Sequence, residues 1–179
     1  KNKRTIATTR SFEYTFSDIE NIKERISTFA TSCAEKLRKQ NSSCHMVYVM
    51  LSSDRHKKNT KQHKGRKVVS FPYPTDSSLI ISREAVKAVA QIFKKGVKYK
   101  RAGVIVMGLV PTENHQLQLF QHENPKHKPL MKTIDDLNKK YAAYKIKLGN
   151  QDLKRTWKMR QERLSPRYTT NIKDVIIVK

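Results

Sequence analysis

The sequence predicts an α+β fold: four strands in the split β-α-β-β-α-β order form one sheet, with two helices on one face and the other face free to bind. Three observations predict it. Two stretches carry apolar residues in steps of three and four, the period of a helix with one buried side. Four runs rich in β-branched and aromatic residues flank those stretches in the required order. After Pro111 both patterns stop, and a polar stretch separates this part from a shorter one.

The elements follow in order. Thr5 to Phe12 is β-biased and gives the first strand. Ser17-Asp18-Ile19-Glu20 has the capping-box pattern, in which a Ser hydroxyl and a Glu carboxylate satisfy amide donors at a helix start. Ile19, Ile22, Ile26, Phe29, Cys33 and Leu37 then make one stripe of a helix reaching about Gln40. His45 to Ser52 and Lys67 to Tyr73 read as the second and third strands, the latter stopped by Pro72 and Pro74. Ser77 to Lys95 is the second helix, with Val86, Val89, Ala90 and Phe93 as its stripe and Gly96 as its stop. Tyr99 to Val110 is the fourth strand.

Beyond it, residues 112–128 read as a linker, and residues 129–179 as a small mixed α/β extension appended to the domain of residues 1–111. In the extension, Leu130, Ile134, Leu137 and Tyr141 suggest a short helix. Tyr144, Ile146 and Leu148 alternate with lysines like a strand, and a third helical piece carries Trp157. So short a segment buries little core of its own, so it is expected to dock on a partner or to be marginal alone.

Charge narrows the function. Lys and Arg number 38 against 15 Asp and Glu, a net charge of +23, so polyanions are the expected partners, nucleic acid first among them. The longest apolar run, Ala102 to Val110, is far below a membrane span, so no membrane partner is expected. Cys33 and Cys44 form no Cys-x-x-Cys pair, which argues for a reducing compartment without a disulfide framework. Arg55 to Lys67 (RHKKNTKQHKGRK) holds seven Lys or Arg and no acid, which makes a phosphate-contacting loop a better reading than a merely solvated one.

Chemistry by this chain is not expected. The first 110 residues hold eight acids, Glu13, Asp18, Glu20, Glu24, Glu35, Asp54, Asp76 and Glu84, too scattered to seat two metals. His45, His56, His63 and Cys44 lack zinc-ligand spacing and sit among cations that oppose a dication. No Gly-rich phosphate loop or Ser-His-Asp pattern appears, so no metal, cofactor or small-molecule substrate is expected. In the linker, Gln116-Leu117-Gln118-Leu119-Phe120 stands out: exposed Leu and Phe in a polar stretch need something else to bury them.

That pentapeptide resembles the Gln-Leu-x-Leu-Phe peptide by which bacterial DNA polymerases hold the ring-shaped sliding clamp. Arg10-Ser11-Phe12, Tyr99-Lys100-Arg101-Ala102-Gly103-Val104, Trp157-Lys158-Met159 and Leu164-Ser165-Pro166-Arg167-Tyr168-Thr169-Thr170 add to it in the right order. Together they resemble the C-terminal half of UmuC-type Y-family translesion DNA polymerases, across essentially the whole chain. The resemblance implies a little-finger domain up to about Val110 that grips template-primer DNA beside a catalytic palm expected to precede Lys1. It also implies a clamp tether at Gln116, Leu117, Leu119 and Phe120, roles in DNA repair and the SOS response, UmuD-type and RecA-type partners, and a cytoplasmic, nucleoid-associated location. Glu13 departs from the Gly that relatives often carry after the Ser-Phe pair.

A sheet flanked by basic residues can lie against both phosphate ridges of a duplex with contacts indifferent to sequence. The candidates are Arg4 and Arg10 on the first strand, Lys57, Lys58, Lys61, Lys64 and Arg66 in the loop, and Lys98, Lys100 and Arg101 entering the fourth strand. Two rival readings are an RNA recognition motif, which shares the element order but stacks bases on aromatics of the first and third strands, and a pure interaction scaffold.

Overall fold

A computed structural model describes residues 2–57, 60–112, 124–141, 145–152 and 165–170. Its elements are β1 (Ile6–Phe16), α1 (Ile19–Lys39), β2 (Ser42–Ser53), β3 (Lys64–Thr75), α2 (Ser78–Ile92), β4 (Tyr99–Pro111) and α3 (His127–Lys140). The sheet order is β1-β4-β2-β3, and every neighbouring pair is antiparallel. β1 and β2 are therefore parallel with β4 between them, and β3 and β4 are parallel with β2 between them. Two interleaved split β-α-β units result, which is the predicted fold class.

α1 and α2 pack on each other and on one face of the sheet. Alternate residues feed that face: Ile6 of β1, Val47, Val49 and Leu51 of β2, and Ala102, Val104 and Val106 of β4 are all buried. Against them α1 sets Ile22, Ile26, Phe29, Cys33 and Leu37, its predicted stripe save for Ile19, which is only half-buried at the helix start. Each Val, Ile, Leu or Phe among them contributes about 1.5–3 kcal/mol by leaving water. Cys33 and Cys44 are free thiols inside this core.

Local readings shift in four places. The α1 cap is Asp18 rather than Ser17: its two carboxylate oxygens accept from the Glu20 and Asn21 amides at 3.3 and 3.2 Å. These bonds hold the Asp18 carboxyl below its usual range, and a carboxylate suits the positive end of a helix dipole. β1 runs on to Phe16, where Phe12 and Phe16 meet edge to face at 5.2 Å and the buried Arg25 guanidinium lies 4.0 Å from the Phe16 ring centre. β3 begins earlier, at Lys64, and is not stopped by its prolines. Its register jumps from Ser70 opposite Met46 to Thr75 opposite Cys44, so Pro72 and Pro74 fall in an irregularity of an edge strand where no ladder N–H is demanded. Finally, α2 buries Ile81, Ala85, Ala88 and Val89, while Val86 and Phe93 are half-buried and Ala90 is exposed. The true stripe is rotated from the predicted one, and Gly96, at φ +82°, serves the turn after the helix.

The expected helix of the extension is α3, but it buries Met131 and leaves Leu130 and Tyr141 exposed. No strand forms over residues 145–148. The Ile146 backbone exchanges hydrogen bonds with the Asn138 amide side chain instead, and the Leu148 N–H donates to Gln151 Oε1. Tyr144, Trp157 and the clamp-like peptide 116–120 lie outside the described residues.

Gly103 stands directly opposite Thr9, and a Cβ added there would come within 2.5 Å of Thr9 Cγ2 and 3.0 Å of Thr9 Cβ. Gly103→Ala is expected to lower stability by about 1–3 kcal/mol, the usual range for overpacking. Adding Thr9→Gly should recover most of that stability in a chemical-denaturation experiment, whereas strictly additive effects would contradict a steric cause.

Candidate nucleic-acid interface

The face of the sheet away from the helices is uncovered by any described residue, and the strand register orders it into rows. One row runs Ser11, Arg101, Ser52, Lys64 from β1 across to β3. The next runs Thr9, Gly103, Met50, Arg66, and a third runs Ala7, Ile105, Tyr48, Val68. The face is therefore cationic at one end and apolar beyond it.

Arg101 is steadied by its Nε donating to Ser11 Oγ at 3.2 Å, which leaves the rest of the guanidinium outward. Lys64 is exposed, and its ammonium is held below its ordinary pKa first by Arg66 and also by partial desolvation and Arg55. Three cations thus share this end of the face, and none forms an ion pair among the described residues. Ion pairs among the described residues include Lys23–Glu20, Arg38–Asp135, Lys39–Glu35, Arg83–Glu84 and Lys87–Glu84, all on the helices. None of these pairs involves Lys64, Arg66 or Arg101.

The basic loop between β2 and β3 is internally braced. The Gln62 amide donates to the Asp54 and Lys57 carbonyls at 2.8 and 3.0 Å, and its oxygen accepts from Ser53 Oγ at 2.8 Å. Arg55, Lys57 and Lys61 project from this frame exposed, and Lys58 lies outside the described residues. At the loop's base, the fully buried Tyr99 accepts from the Lys94 N–H at 2.9 Å and lies 2.9 Å from His63 Nδ1. The Tyr99 hydroxyl and His63 Nδ1 share one hydrogen bond whose direction follows the His63 tautomer. Desolvation, aided by Lys94, holds His63 below its ordinary pKa. On acidification the unfolded chain takes the proton first, so this contact's stabilisation is full above about pH 6.5 and declines as pH falls below it. Tyr99→Phe should cost about 1–2 kcal/mol at neutral pH. The melting temperature of the parent should also drop more steeply than that of His63→Gln between neutral pH and about pH 5.

The remaining predicted contacts are dispersed. Arg10 pairs with Ala102, which places it on the helix side of the β1 edge, with Nη1 donating to the Thr9 carbonyl. Arg4 precedes β1 at the sheet end opposite Arg101, and Lys98 is exposed in the turn before β4. Lys100 donates to the Glu13 carbonyl at 2.8 Å, tying β4 to β1, and Glu13 does not take a positive φ. Sequence reasoning missed Gln62, Ser53, His63 and Tyr99 as the frame of the loop. It also missed the apolar row, although the alternation Met46, Tyr48, Met50 in β2 carries that signal.

Among the described residues no group of three or more His, Cys, Asp or Glu side chains gathers as a metal site would require. None of their helices is long and apolar enough to cross a membrane.

Residues 3–119 match the impB/mucB/samB family C-terminal domain, and residues 128–178 match a domain of unknown function. The chain is 30% identical over 179 residues to Protein UmuC of Salmonella typhimurium, covering 99% of this chain and 42% of that one. It is 27% identical to Protein ImpB of Salmonella typhimurium with the same coverage. It spans 42% of the length of these curated relatives. Among solved structures, it is similar to a complex of the beta-clamp processivity factor and the little finger domain of PolIV, at TM-score 0.45, 15% identity, and 65% of this chain and 99% of that one. A post-insertion binary complex of Dbh DNA polymerase follows at TM-score 0.49 and 13% identity, covering 60% of this chain and 29% of that one.

Proposed function

Because the chain belongs to the impB/mucB/samB family, whose C-terminal domain fills residues 3–119, we propose that it is the DNA-gripping and clamp-tethering portion of an error-prone translesion DNA polymerase. The observation that carries this reading is the unpaired cationic end of the uncovered sheet face. Lys64, Arg66 and Arg101 meet there, extended by Lys57 and Lys61 of the braced loop and by Lys98 on the turn. Cations in this arrangement displace counterions from a phosphate backbone without reading bases, which suits an enzyme that must accept any template. Gln116 to Phe120 serves as the clamp tether, between a gripping domain of residues 1–111 and an extension of residues 129–179. Nucleotidyl transfer belongs, on this reading, to the part of the relatives that this chain does not span, and the protein acts in the cytoplasm on damaged DNA.

The sheet order speaks against the RNA-recognition alternative. That mode needs aromatics side by side on central strands, whereas β1 and β3 are here the two edges, and Phe12 and Phe71 are buried in the core. Titration of labelled duplex DNA and single-stranded RNA, followed by anisotropy over a range of salt, tests the reading. Expected is duplex binding without sequence preference that weakens steeply with salt. Tighter binding to one RNA sequence, insensitive to salt, would overturn it.

A further inference from the structure

Helix surfaces turned away from a sheet normally carry charge toward water. The outer side of α1 and α2 departs from this at a few places. Ser27 of α1 and Ser82 of α2 are fully buried, with hydroxyls 2.8 Å apart. Asn150, from the extension, closes them into a ring: Ser27 Oγ donates to its carbonyl at 2.8 Å, and its amide donates to Ser82 Oγ at 2.9 Å. Ser82 is left to donate to Ser27, so each donor is used once around the ring.

A second anchor lies near the C-terminal end of α1. Arg38 forks onto Asp135 of α3, Nε to Oδ2 at 2.6 Å and Nη2 to Oδ1 at 2.7 Å. Its third nitrogen donates to the Asp76 carbonyl at 2.7 Å and to Ser78 Oγ at 3.0 Å, so one guanidinium joins α1, the start of α2 and α3. Met131 and Gln151 are buried at the same contact, and His127 Nδ1 lies 3.2 Å from Ser77 Oγ. Met131 is the one apolar side chain that residues 127–152 bury fully, among the described residues. Directional polar bonds therefore set the register, which a nonspecific apolar collapse would leave free.

We propose that the outer side of α1 and α2 is a docking surface for the chain's own residues 127–141 and 145–152, a strap that stays seated without the covalent linker. The surface lies across the domain from the cationic rows, so strap and DNA can be held together. Docking also ties both sides of residues 113–123 to the body, since the Thr112 N–H donates to the Asn41 carbonyl at 3.0 Å and His127 meets Ser77.

The test uses the full chain with a protease recognition sequence inserted after Phe120. After cleavage, the two pieces are passed through a sizing column at micromolar concentration. Co-elution of the parent pieces is expected, and their separation would overturn the proposal. Asp135→Ala with Asn150→Ala, both outside the gripping domain, should weaken association by at least about thirtyfold. Arg38→Asp should release the strap, and Arg38→Asp with Asp135→Arg should restore it. Unaltered co-elution of the Asp135→Ala, Asn150→Ala pair would show that these contacts do not hold the strap. Melting of the gripping domain in the same samples checks that release is not unfolding. No DNA or clamp is present, so failure here is distinct from failure of the DNA reading.

Discussion

Replacing Lys64, Arg66 and Arg101 together by alanine is expected to weaken duplex-DNA binding about ten- to a hundredfold at moderate salt and to flatten its salt dependence. The slope of log affinity against log salt should fall by about 0.9 for each phosphate no longer neutralised, so by up to about 2.7 for three. Convergence rather than total charge is the cause. These three side chains share one end of one face, and none is paired with an acid among the described residues. The matched control is Arg83→Ala with Lys87→Ala, which also removes two cations but from α2, where both lie against Glu84. That control should leave the slope nearly unchanged. If both variants flatten it equally per charge removed, binding follows net charge and the sheet face has no special part. A further variant, Lys57→Ala with Lys61→Ala, measures what the braced loop adds, because its backbone frame rests on Gln62 rather than on the lysines themselves.

Much of the fold is legible because burial acts through period. The stripe Ile22, Ile26, Phe29, Cys33 and Leu37 has only one helical face to occupy, and β4 is long, apolar and central. Legibility fails where a non-local partner decides. Pro72 and Pro74 read as a stop because the sequence does not reveal that β3 is an edge strand whose register breaks between Ser70 and Thr75. Periodicity alone points to Val86 and Ala90 for the α2 stripe, but small residues also suit close packing, and Ala85 and Ala88 are buried instead. The candidate site divides the same way. A cluster of cations within one loop is visible in sequence, whereas the meeting of Arg101 with Lys64 across Ser52 depends on strand order. In sequence Arg10 is equivalent to its basic neighbours, and only pairing with Ala102 fixes its side. Ser27, Ser82 and Asn150 carry no sequence signal, since isolated serines on helices are ordinarily solvated.

The second large effect concerns Gln116 to Phe120. Leu119→Ala with Phe120→Ala is expected to weaken binding to a bacterial sliding clamp by roughly a thousandfold, since buried anchors can each be worth ~2 kcal/mol or more and every 1.4 kcal/mol is tenfold. Placement in the chain is what singles the peptide out. Among the described residues, the core of the gripping domain is assembled from β1 to β4, α1 and α2, together with Val97. The chain is tied to the body at Thr112 before the peptide and at His127 after it. Two leucines and a phenylalanine in so polar a segment are costly unless a partner's apolar pocket takes them. The double variant should therefore keep the parent's melting temperature and its DNA salt slope while no longer holding the clamp. In a longer polymerase the consequence would be synthesis that persists in solution but is not recruited to a clamp-loaded template, because a tether raises effective concentration without altering the chemistry. Calorimetry with purified clamp decides it. Equal affinity for the parent and the double variant would mean that these side chains serve the chain's own structure, and a melting temperature lowered in step would point the same way.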